Sequence, residues 1–545
     1  MKVLIGGAWP YANGPLHIGH IAGLLPGDVI ARYYRTNGDD VYYVSGSDCH
    51  GTPVIIRAGQ EGKTPEEISD RYHKEFMYCF EKLGFSYDYY GKTTQPEHVE
   101  FVKDFHKKLY ESDYVYEKET LKAYCSECGR FLPDRYVKGV CPKCGAKSRG
   151  DQCDHCGSVM EPELLLEPEC SICGRMPEFR KTKHLYIATS KLEPKIRELL
   201  YSQKGWRKNA VSFTMRYLDE GLRDRALTRD LDWGIQVPKE GYDDKKIYIW
   251  AENVLGYLSM SKIVAKKRGE AFKDLWGKDA LHYYIHAKDN IPFHTIILPA
   301  LIMAHGEELH LPDYIISNEY LTLEGRKIST SDNWAIWVKD IIDHYDPDSL
   351  RYFLITNGPE KKDTDFSWHN YVKVHNGELL GNYGNFINRT LVFIEKYYDG
   401  VVPAGIFPIN IVNELNKLYM DAGKFIREGK LKEALSEIFQ YIRFANKYFD
   451  AQMPWITRNE DKNKCANTMY TCVQLVVNFA NLLEPFLPFS SEKVLGWFDM
   501  KPDWNIRFVP AGTKFKEAEI LFKPLEKNIA EEELDKLVEL KRKTG

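Results

Sequence analysis

The sequence lacks any long run of apolar residues. No stretch approaches the roughly 20 residues that a membrane-spanning helix needs, and the apolar residues after Met1 are too few for a signal peptide. Low-complexity segments are also absent, and the formal net charge is only -4 at pH 7. These absences predict a cytoplasmic protein without a membrane partner. The weak charge argues against indiscriminate nucleic-acid binding but leaves room for a local basic face that reads one folded RNA.

The composition is that of an ordinary globular protein, with 43% hydrophobic and 28% charged residues. A chain of 545 residues is too long for one hydrophobic core. The usual domain size predicts about three or four domains.

The beginning of the chain alternates between strand and helix patterns. We predict a buried strand, a loop with glycine and proline, a helix, a second strand and a second helix, over residues 2–6, 6–15, 16–37, 41–45 and 64–83. This alternation predicts a parallel α/β sheet, and a nucleotide-binding domain is the natural expectation.

The rest of the chain divides into an insertion and a helical part. The α/β pattern breaks near Tyr116 and returns over residues 246–250 and 282–286, so we expect an insertion that splits the sheet. After about residue 346 the strand patterns vanish, and long amphipathic helices predict a helical bundle. The clearest of these helices cover residues 411–428, 431–450 and 464–483.

Eight of the 12 cysteines lie in the insertion as four C-x-x-C pairs: Cys125/Cys128, Cys141/Cys144, Cys153/Cys156 and Cys170/Cys173. A reducing cytosol argues against disulfides, and no pair opens a helix of a βαβ unit as a redox motif would. Eight thiolates make two tetrahedral zinc sites, which we expect to be structural because four-cysteine sites leave no open position for substrate. The favoured pairing is nested, with the two inner pairs on one ion and the two outer pairs on the other. Sequential pairing is the alternative.

A histidine motif, P-Y-A-N-G-P-L-H-I-G-H, follows the first predicted strand at residues 10–20. His17 and His20 are three residues apart and so share one face at the start of a helix. The free N–H groups of a helix N-terminus favour phosphate, and Gly19 leaves the backbone open to a flat base. Taken alone, the pattern H-x-G-H occurs by chance on a surface or in a core as easily as in a functional site. Its position after the first strand predicts a nucleotide site.

A polar loop, G-R-K-I-S-T-S at residues 325–331, follows a strand-like segment at 319–323. Taken alone, it is an ordinary solvated loop. Beside the histidine motif, it becomes a second candidate for phosphate binding.

These motifs resemble those of class I aminoacyl-tRNA synthetases of the methionyl family. The histidine motif is similar to the HIGH signature and K-I-S-T-S to the KMSKS loop, and the resemblance continues through D-C-H-G-T-P, the cysteine pairs, K-D-N-I-P-F-H and the helical C-terminus. It implies a Rossmann-type parallel-sheet catalytic domain split by a zinc-binding connective insert, and then an all-α anticodon-binding bundle. The implied parts are the two catalytic halves (residues 1–115 and 231–318), the insert (116–230), the loop and stem-contact region (319–375) and the bundle (376–545).

The resemblance implies that ATP and Mg²⁺ activate methionine, which is then transferred to tRNA(Met). Activation is an in-line attack of an ionised carboxylate on the α-phosphate, so it needs positioning and charge stabilisation rather than a general base. The implied catalytic residues are His17, His20, Lys327 and Thr330. Gly19, Lys288, Asp289 and Ser329 are added to them in the implied ATP site.

The implied methionine site is aromatic, which suits a polarizable thioether. Asp48 is expected to hold the ammonium group, although a turn-capping aspartate is the alternative. The other implied residues are Trp9, Tyr11, Trp250, Asn253, Tyr257, Asn290 and His294; without the resemblance, the rings would be assigned to an ordinary core.

Four residues depart from the pattern of the family. Thr330 stands in place of a lysine, and Arg326 is the cation able to compensate. Asn253 and Asn290 replace small or apolar residues, and Leu298 stands where tryptophan is common. Because a buried amide is costly unless it is hydrogen-bonded, both asparagines are expected to bond to each other, to backbone or to water. A more polar wall predicts weaker binding of compact apolar inhibitors.

The resemblance also places anticodon recognition in the bundle. Asn385, Arg389 and Trp455 fall where the family reads the CAU anticodon; the first two share a helix face, and an exposed tryptophan suits stacking on an unpaired base. The chain ends soon after the bundle, without the appended dimerisation domain of some relatives, so a monomer is expected.

Three alternatives stay open at this point. One is a class I synthetase for leucine, isoleucine or valine, although the zinc knuckles leave little room for an editing domain. Another is a zinc-bearing tRNA-binding paralogue that no longer charges tRNA. The last is a duplicate methionyl enzyme for inhibitor tolerance or a methionine analogue.

Overall fold

The computed structural model describes residues 1–133, 136–150, 153, 155, 162–330, 332–516 and 518–542. Its centre is a parallel sheet of six strands in the spatial order Gly205–Trp206, Tyr314–Asn318, Leu281–Ala287, Lys2–Gly7, Asp40–Ser47 and Tyr89–Lys92. The order reverses at Lys2–Gly7. This is the doubly wound Rossmann arrangement, in which ligands bind outside the carboxyl ends of the strands at the reversal. The predicted fold class is confirmed.

Local sequence explains the first elements. Val3, Leu4 and Ile5 are fully buried, as a parallel strand covered on both faces requires. The helix Pro65–Lys82 begins at a capping box, because the Thr64 hydroxyl accepts from the Glu67 N–H and the Glu67 carboxylate accepts from the Thr64 N–H. The predicted strands at 2–6, 41–45 and 282–286 and the predicted helices at 16–37 and 64–83 are confirmed within a few residues.

Helices cover both faces of the sheet. We call Ile18–Thr36 the signature helix, since the histidine motif leads into it. The other helices of the α/β part are Thr52–Glu61, Pro65–Lys82, Pro96–Leu109, Thr189–Ser202, Lys208–Asp219, Ile249–Asn253, Gly256–Arg268, Phe272–Leu275 and Leu298–His305, with a 3-10 turn at Lys288–Asn290 and a π-turn at Phe293–Ile297.

The α/β pattern expected over residues 246–250 consists of a short strand and the start of a helix. Only Lys246–Ile247 is extended, and it pairs antiparallel with Thr228–Arg229 outside the main sheet. A helix, Ile249–Asn253, follows at once. Short apolar runs cannot distinguish a strand from a buried helix by periodicity alone.

The insertion is built from small antiparallel sheets. Its long arm pairs Val115–Cys125 with Glu178–Ile187, flanked by Arg130–Phe131 and Arg225–Ala226. A second sheet joins Lys147–Arg149, Val137–Val140 and Leu166–Cys170, with a 3-10 turn at Pro162–Leu164. Its buried cluster is small and includes four cysteines, so this part has little apolar core of its own.

The C-terminal part is helical, as predicted. After the short helices Val338–Ile341, Pro347–Thr356 and Trp368–Val374 and a π-helical turn at His375–Gly384 come Asn385–Tyr398, Ile409–Arg427, Leu431–Gln452, Pro454–Glu460, Lys462–Leu483, Pro488–Trp497 and Ile529–Arg542. The expectation of no strand after residue 346 is wrong, because Thr364–Phe366 joins Leu321–Leu323 and Arg326–Lys327 in a three-stranded sheet. Three residues are too few to give a sequence pattern. Within the described residues, no helix is both long and apolar enough to cross a membrane.

Candidate active site

A cavity of about 370 Å³ opens at the carboxyl ends of the strands Lys2–Gly7 and Leu281–Ala287, where the strand order reverses. Nine residues predicted for the ATP or methionine sites line it: Trp9, Tyr11, His17, Gly19, His20, Trp250, Asp289, Asn290 and Lys327. The two motifs, far apart in sequence, therefore meet at one cavity in the place that the topology favours for a ligand.

Backbone hydrogen bonds join the histidine motif to the residues that follow the second motif. The Ile18 N–H donates to the Ile336 carbonyl at 2.9 Å, and the Val338 N–H donates to the Leu16 carbonyl at 2.8 Å. We call residues 325–334 the signature loop, in which two backbone hydrogen bonds connect Ser329 and Trp334. The base of the loop is thus fixed to the start of the signature helix.

The signature loop presents only part of its predicted set to the cavity. Lys327 and Ile328 line the cavity, whereas Ser329 and the exposed Thr330 do not. The guanidinium of Arg326, the expected substitute for a lysine, lies 4.9 Å from the centre of the Trp334 ring. Ser331 lies outside the described residues.

The rings of His17 and His20 stack at a centroid distance of 3.7 Å. The His17 backbone N–H donates to Nδ1 of His20 at 3.1 Å. Burial lowers the pKa of His20 to about 4, and burial together with His20 lowers the pKa of His17 well below its usual value. Both imidazoles are therefore neutral at pH 7 and act as hydrogen-bond donors rather than as cations. A side chain at position 19 would start 3.0 Å from the His17 ring, so any residue larger than glycine would push against that ring.

Asp48 lies behind the cavity wall and is fully buried. Its backbone bonds to Pro10 and Ala12 hold it beside the histidine motif, at 2.9 and 2.8 Å. Within the described residues, its Oδ2 atom has no hydrogen-bond partner. Burial and the nearby Glu252 raise the pKa of Asp48 well above its usual value, against the smaller effects of the His50 N–H and the Asn253 amide. Such a carboxyl is poised to ionise when a cation arrives.

The aromatic residues predicted for methionine are divided between the cavity and its back wall. Trp250 lines the cavity and stacks on Phe293 at 3.6 Å, with Tyr11 at its edge at 6.3 Å. Tyr257 and His294 are buried behind the wall, where the Tyr257 hydroxyl and the His294 Nε2 bond at 2.8 Å.

The hydrogen bonds expected of both asparagines stay a prediction, since water is one of the expected partners of Asn253. Its Nδ2 atom is buried and has no partner in the part of the chain that the structure describes. The residue lies beside Asp48, whose Oδ2 atom also lacks a hydrogen-bond partner among the described residues, and the Asn253 amide lowers the pKa of that carboxyl. Asn290, in contrast, lines the cavity. Leu298 is fully buried.

Lys288, predicted to bind ATP, does not line the cavity. Its Nζ atom donates to Glu319 at 2.8 Å and Asp363 at 2.7 Å, and it lies 4.2 Å from the Tyr320 ring centre. Two carboxylates therefore already neutralise this cation.

The residues at or beside the site that the sequence analysis missed include three polar or aromatic residues of the cavity and one ring behind it. His286, Glu319 and Tyr320 line the cavity, and Phe293 covers Trp250. A signal was present for His286, because it ends a predicted strand at the edge where parallel sheets bind ligands. Phe293 had no signal, since its contact depends on the turn that follows Asn290.

Two cysteine groups could hold a metal ion. The Sγ atoms of Cys125, Cys128, Cys170 and Cys173 lie within 4.8 Å of one another, and so do those of Cys141, Cys144 and Cys153. Cys156 lies outside the described residues. This is the arrangement of the nested pairing. The glycines after Cys128, Cys144 and Cys173 have φ values of 65°, 73° and 72°, which explains why glycine follows the second cysteine in these knuckles.

The residues predicted for the anticodon lie on one surface of the bundle. The Asn385 amide donates to Asn446 at 3.4 Å, and the Arg389 guanidinium donates to Asp450 at 2.5 Å. Arg389 also covers the Phe449 ring at 4.3 Å, and Phe449 contacts Trp455 at 6.2 Å. The Trp455 side chain is 44% exposed, so its ring is accessible to a base.

Comparison with known proteins gives consistent matches. Residues 3–391 match the model of class I tRNA synthetases (M), and residues 408–539 match the anticodon binding domain of methionyl tRNA ligase. The chain is 52% identical over 539 residues to methionine–tRNA ligase 1 of Alkaliphilus oremlandii (strain OhILAs), covering 98% of this chain and 100% of that relative. It is 53% identical over 509 residues to methionine–tRNA ligase of Bacillus cereus (strain B4264), covering 93% of each.

A solved structure supports the fold. The crystal structure of Mycobacterium tuberculosis methionyl-tRNA synthetase bound by methionyl-adenylate superposes with a TM-score of 0.80 at 23% identity, covering 96% of this chain and 100% of that one. At this identity the comparison shows a shared architecture.

Proposed function

The chain belongs to the methionyl family of class I tRNA synthetases, and we propose that it performs the family reaction with the residues described above. It is an aminoacyl-tRNA ligase: it activates methionine with ATP to methionyl-adenylate and transfers the methionyl group to the 3′ end of tRNA(Met). One observation carries the assignment of residues. The two motifs border one cavity, and behind its wall lies a buried carboxyl group, Asp48, whose Oδ2 atom has no hydrogen-bond partner among the described residues.

In the proposed first step, a carboxylate oxygen of methionine forms a bond to the α-phosphorus of ATP while the bond to the departing pyrophosphate breaks. The neutral His17 and His20 donate hydrogen bonds to the phosphate oxygens as charge builds up, and Lys327 contacts the triphosphate from the signature loop. Mg²⁺ would be held mainly by phosphate oxygens, with Asp289 as a cavity-lining carboxylate, and it neutralises their charge.

Asp48 holds the methionine ammonium in this proposal. The carboxyl is buried, its Oδ2 atom lacks a partner among the described residues, and its pKa is raised by burial. An ammonium group would lower that pKa and make the ionised form stable. Trp250 and Tyr11 then supply ring surfaces for the thioether.

The direct test is ATP–pyrophosphate exchange with each standard amino acid, followed by charging of purified tRNAs. Methionine should support exchange best, and tRNA(Met) should be charged. Preference for leucine, isoleucine or valine would contradict the assignment. Absence of exchange would favour a tRNA-binding paralogue. A cytoplasmic monomer is part of the proposal, and light scattering should give a mass near 63.3 kDa.

We also propose that each cysteine group holds one structural zinc ion. The outer group has four thiols within 4.8 Å of one another, which leaves a bound ion no open position, and the inner group has three among the described residues. The small core around them needs the metal for stability. Elemental analysis of protein purified without chelator should therefore find about two zinc ions per chain.

Two substitutions sharpen the zinc prediction. Cys125→Ser should lower the content to about one ion, because it breaks one tetrahedral set. Cys472→Ser, at a buried thiol in the bundle, should leave it unchanged. One ion or none in the unmodified protein would contradict the scheme.

Anticodon reading is proposed for the surface of Asn385, Arg389 and Trp455. Trp455→Ala should leave pyrophosphate exchange intact but lower kcat/KM for charging by a factor corresponding to about 1–3 kcal/mol, the contribution of one stacked base. Phe508→Ala is the matched control, since this exposed ring lies elsewhere in the C-terminal part. Equal losses of exchange and charging would mean that Trp455 only supports the fold.

A further inference from the structure

Two short segments carry the proposed contacts to methionine. Residues 48–51 follow the second strand and carry Asp48, whereas the helix Ile249–Asn253 carries Trp250. The two segments meet at a hydrogen bond between Nδ1 of His50 and Oε1 of Glu252. Glu252 is fully buried and His50 is nearly so, and neither lines the cavity.

Each partner of this bond is fixed to one end of the methionine site. The His50 backbone N–H donates to Oδ1 of Asp48 at 3.3 Å. The Glu252 N–H donates to the Tyr248 carbonyl within the turn that also holds Trp250. The segments also pack closely, because a side chain at Gly51, where φ is +88°, would start 2.6 Å from Ile249. Movement at the bond would therefore shift one end of the site relative to the other.

A negative charge on Glu252 would have two opposed effects on methionine binding, because it attracts the ammonium but disfavours the ionised form of Asp48. It lies near Asp48 and opposes ionisation of that carboxyl, and its Oε2 atom has no hydrogen-bond partner among the described residues. Burying a carboxylate in this way costs free energy. The hydrogen bond to His50 is the contact that offsets this cost, and the Glu252→Gln variant separates the geometry of the bond from the charge.

We propose that the Glu252–His50 hydrogen bond is a positioning contact that sets the spacing between Asp48 and Trp250. Methionine must reach both at once, with its ammonium at Asp48 and its side chain at Trp250. A site held at the right spacing binds such a ligand without the cost of ordering itself. The inference rests on the proposed function, since it takes Asp48 and Trp250 as the two contacts.

The test compares three variants in ATP–pyrophosphate exchange. Glu252→Ala and His50→Ala should each raise KM for methionine about tenfold, because each removes the hydrogen bond, and losing the contribution of one hydrogen bond changes an affinity by about that factor. In both, kcat and KM for ATP should change little. Glu252→Gln keeps an acceptor for His50 without the charge, so it should restore a KM within about threefold of the unmodified value.

A control separates positioning from general damage. His310 and Asp313 form another histidine–carboxylate bond, at 2.6 Å, beside the amino end of the strand Tyr314–Asn318 and away from the cavity. Asp313→Ala should leave KM for methionine unchanged. A rise in both KM values by the same factor in Glu252→Ala, or a Glu252→Gln variant as impaired as Glu252→Ala, would overturn the inference.

Binding of two ligands gives a readout independent of turnover. Methioninol keeps both the ammonium and the side chain, whereas 2-hydroxy-4-(methylthio)butanoate lacks the ammonium. By calorimetry, Glu252→Ala should weaken methioninol about tenfold but change the hydroxy acid by less than about twofold, because only a ligand that engages both ends senses their spacing. Equal weakening of both ligands, or of neither, would contradict the proposal.

Asp48→Asn distinguishes failure of this inference from failure of the proposed function. If Asp48→Asn binds methionine normally, the ammonium assignment fails and the proposed function must be revised. If Asp48→Asn loses methionine binding while Glu252→Ala and His50→Ala fold and behave like the unmodified protein, only the positioning role fails. Should Glu252→Ala not fold, His50→Ala decides the question.

Discussion

Replacing His17 or His20 by alanine is expected to lower the rate of methionine activation by roughly 100- to 1,000-fold, the usual effect of removing a hydrogen-bond donor from developing negative charge. The two imidazoles are stacked at the start of the signature helix and line the cavity. Because they would bond to the phosphate most strongly in the transition state, kcat should fall while KM for ATP and methionine changes little.

The pH dependence provides a check on this role. Burial lowers the pKa of His20 to about 4 and that of His17 well below its usual value, so neither ring titrates near neutrality. The exchange rate should therefore show no step from these residues between pH 6 and 8. His344→Ala, at an exposed histidine outside the cavity, is the control. A normal exchange rate in either His17→Ala or His20→Ala would refute the assignment.

Acid is expected to destabilise the protein strongly as the pH falls from about 6.5 to about 4. Four buried histidines have pKa values lowered by burial: His98 and His282 to about 3, and His106 and His294 to about 4. In the unfolded chain a histidine titrates near 6.5. Within this window these histidines are protonated in the unfolded state but stay neutral in the folded state. The free energy of unfolding therefore falls as the pH falls. Together the four sites should cost several kcal/mol.

Two buried carboxyls act in the opposite direction. Burial raises the pKa of Asp348 to about 6, and burial also raises that of Asp48, so both bind protons more readily in the folded state. They offset part of the loss, as do Asp289, Asp346, Glu360 and Glu484, but the histidines with lowered pKa values are more numerous, since His17, His20, His73 and His286 add to the four above. Urea unfolding at pH 7.5, 6.5, 5.5 and 4.5 measures the balance. His98→Gln should flatten the dependence, whereas a free energy of unfolding that stays constant or rises in acid would contradict the prediction.

Of the two asparagines predicted to form a polar wall of the methionine site, only one lines the cavity. Asn290 lines the cavity, whereas Asn253 lies behind it beside Asp48. Weaker binding of compact apolar inhibitors stays a prediction, and it now depends on Asn290. Asn290→Ile should raise the affinity for such compounds, as measured by inhibition of exchange. An unchanged affinity would mean that the amide does not face them.

Much of the architecture was predictable because it rests on local patterns. The alternating strands and helices, the cysteine pairs and the amphipathic helices each follow from neighbours in the sequence. The failures have a different origin. Lys288 is neutralised by Glu319 and Asp363, which lie 31 and 75 residues further along the chain. No local pattern contains that contact. No local pattern predicts the environment of Asp48 either. Its burial, and the lack of a hydrogen-bond partner for its Oδ2 atom among the described residues, depend on how two segments pack.

The backbone hydrogen bonds between the histidine motif and the residues that follow the signature loop limit which sequence changes are tolerated. At positions 18 and 338 the donors are backbone N–H groups, and at positions 336 and 16 the acceptors are backbone carbonyls. Side chains there can change through evolution without loss of these hydrogen bonds, provided that they still pack. Proline is excluded at the two donor positions. A one-residue insertion or deletion between Trp334 and Val338 would shift the pairing register. Homologues should therefore vary in residue type but not in length across this stretch.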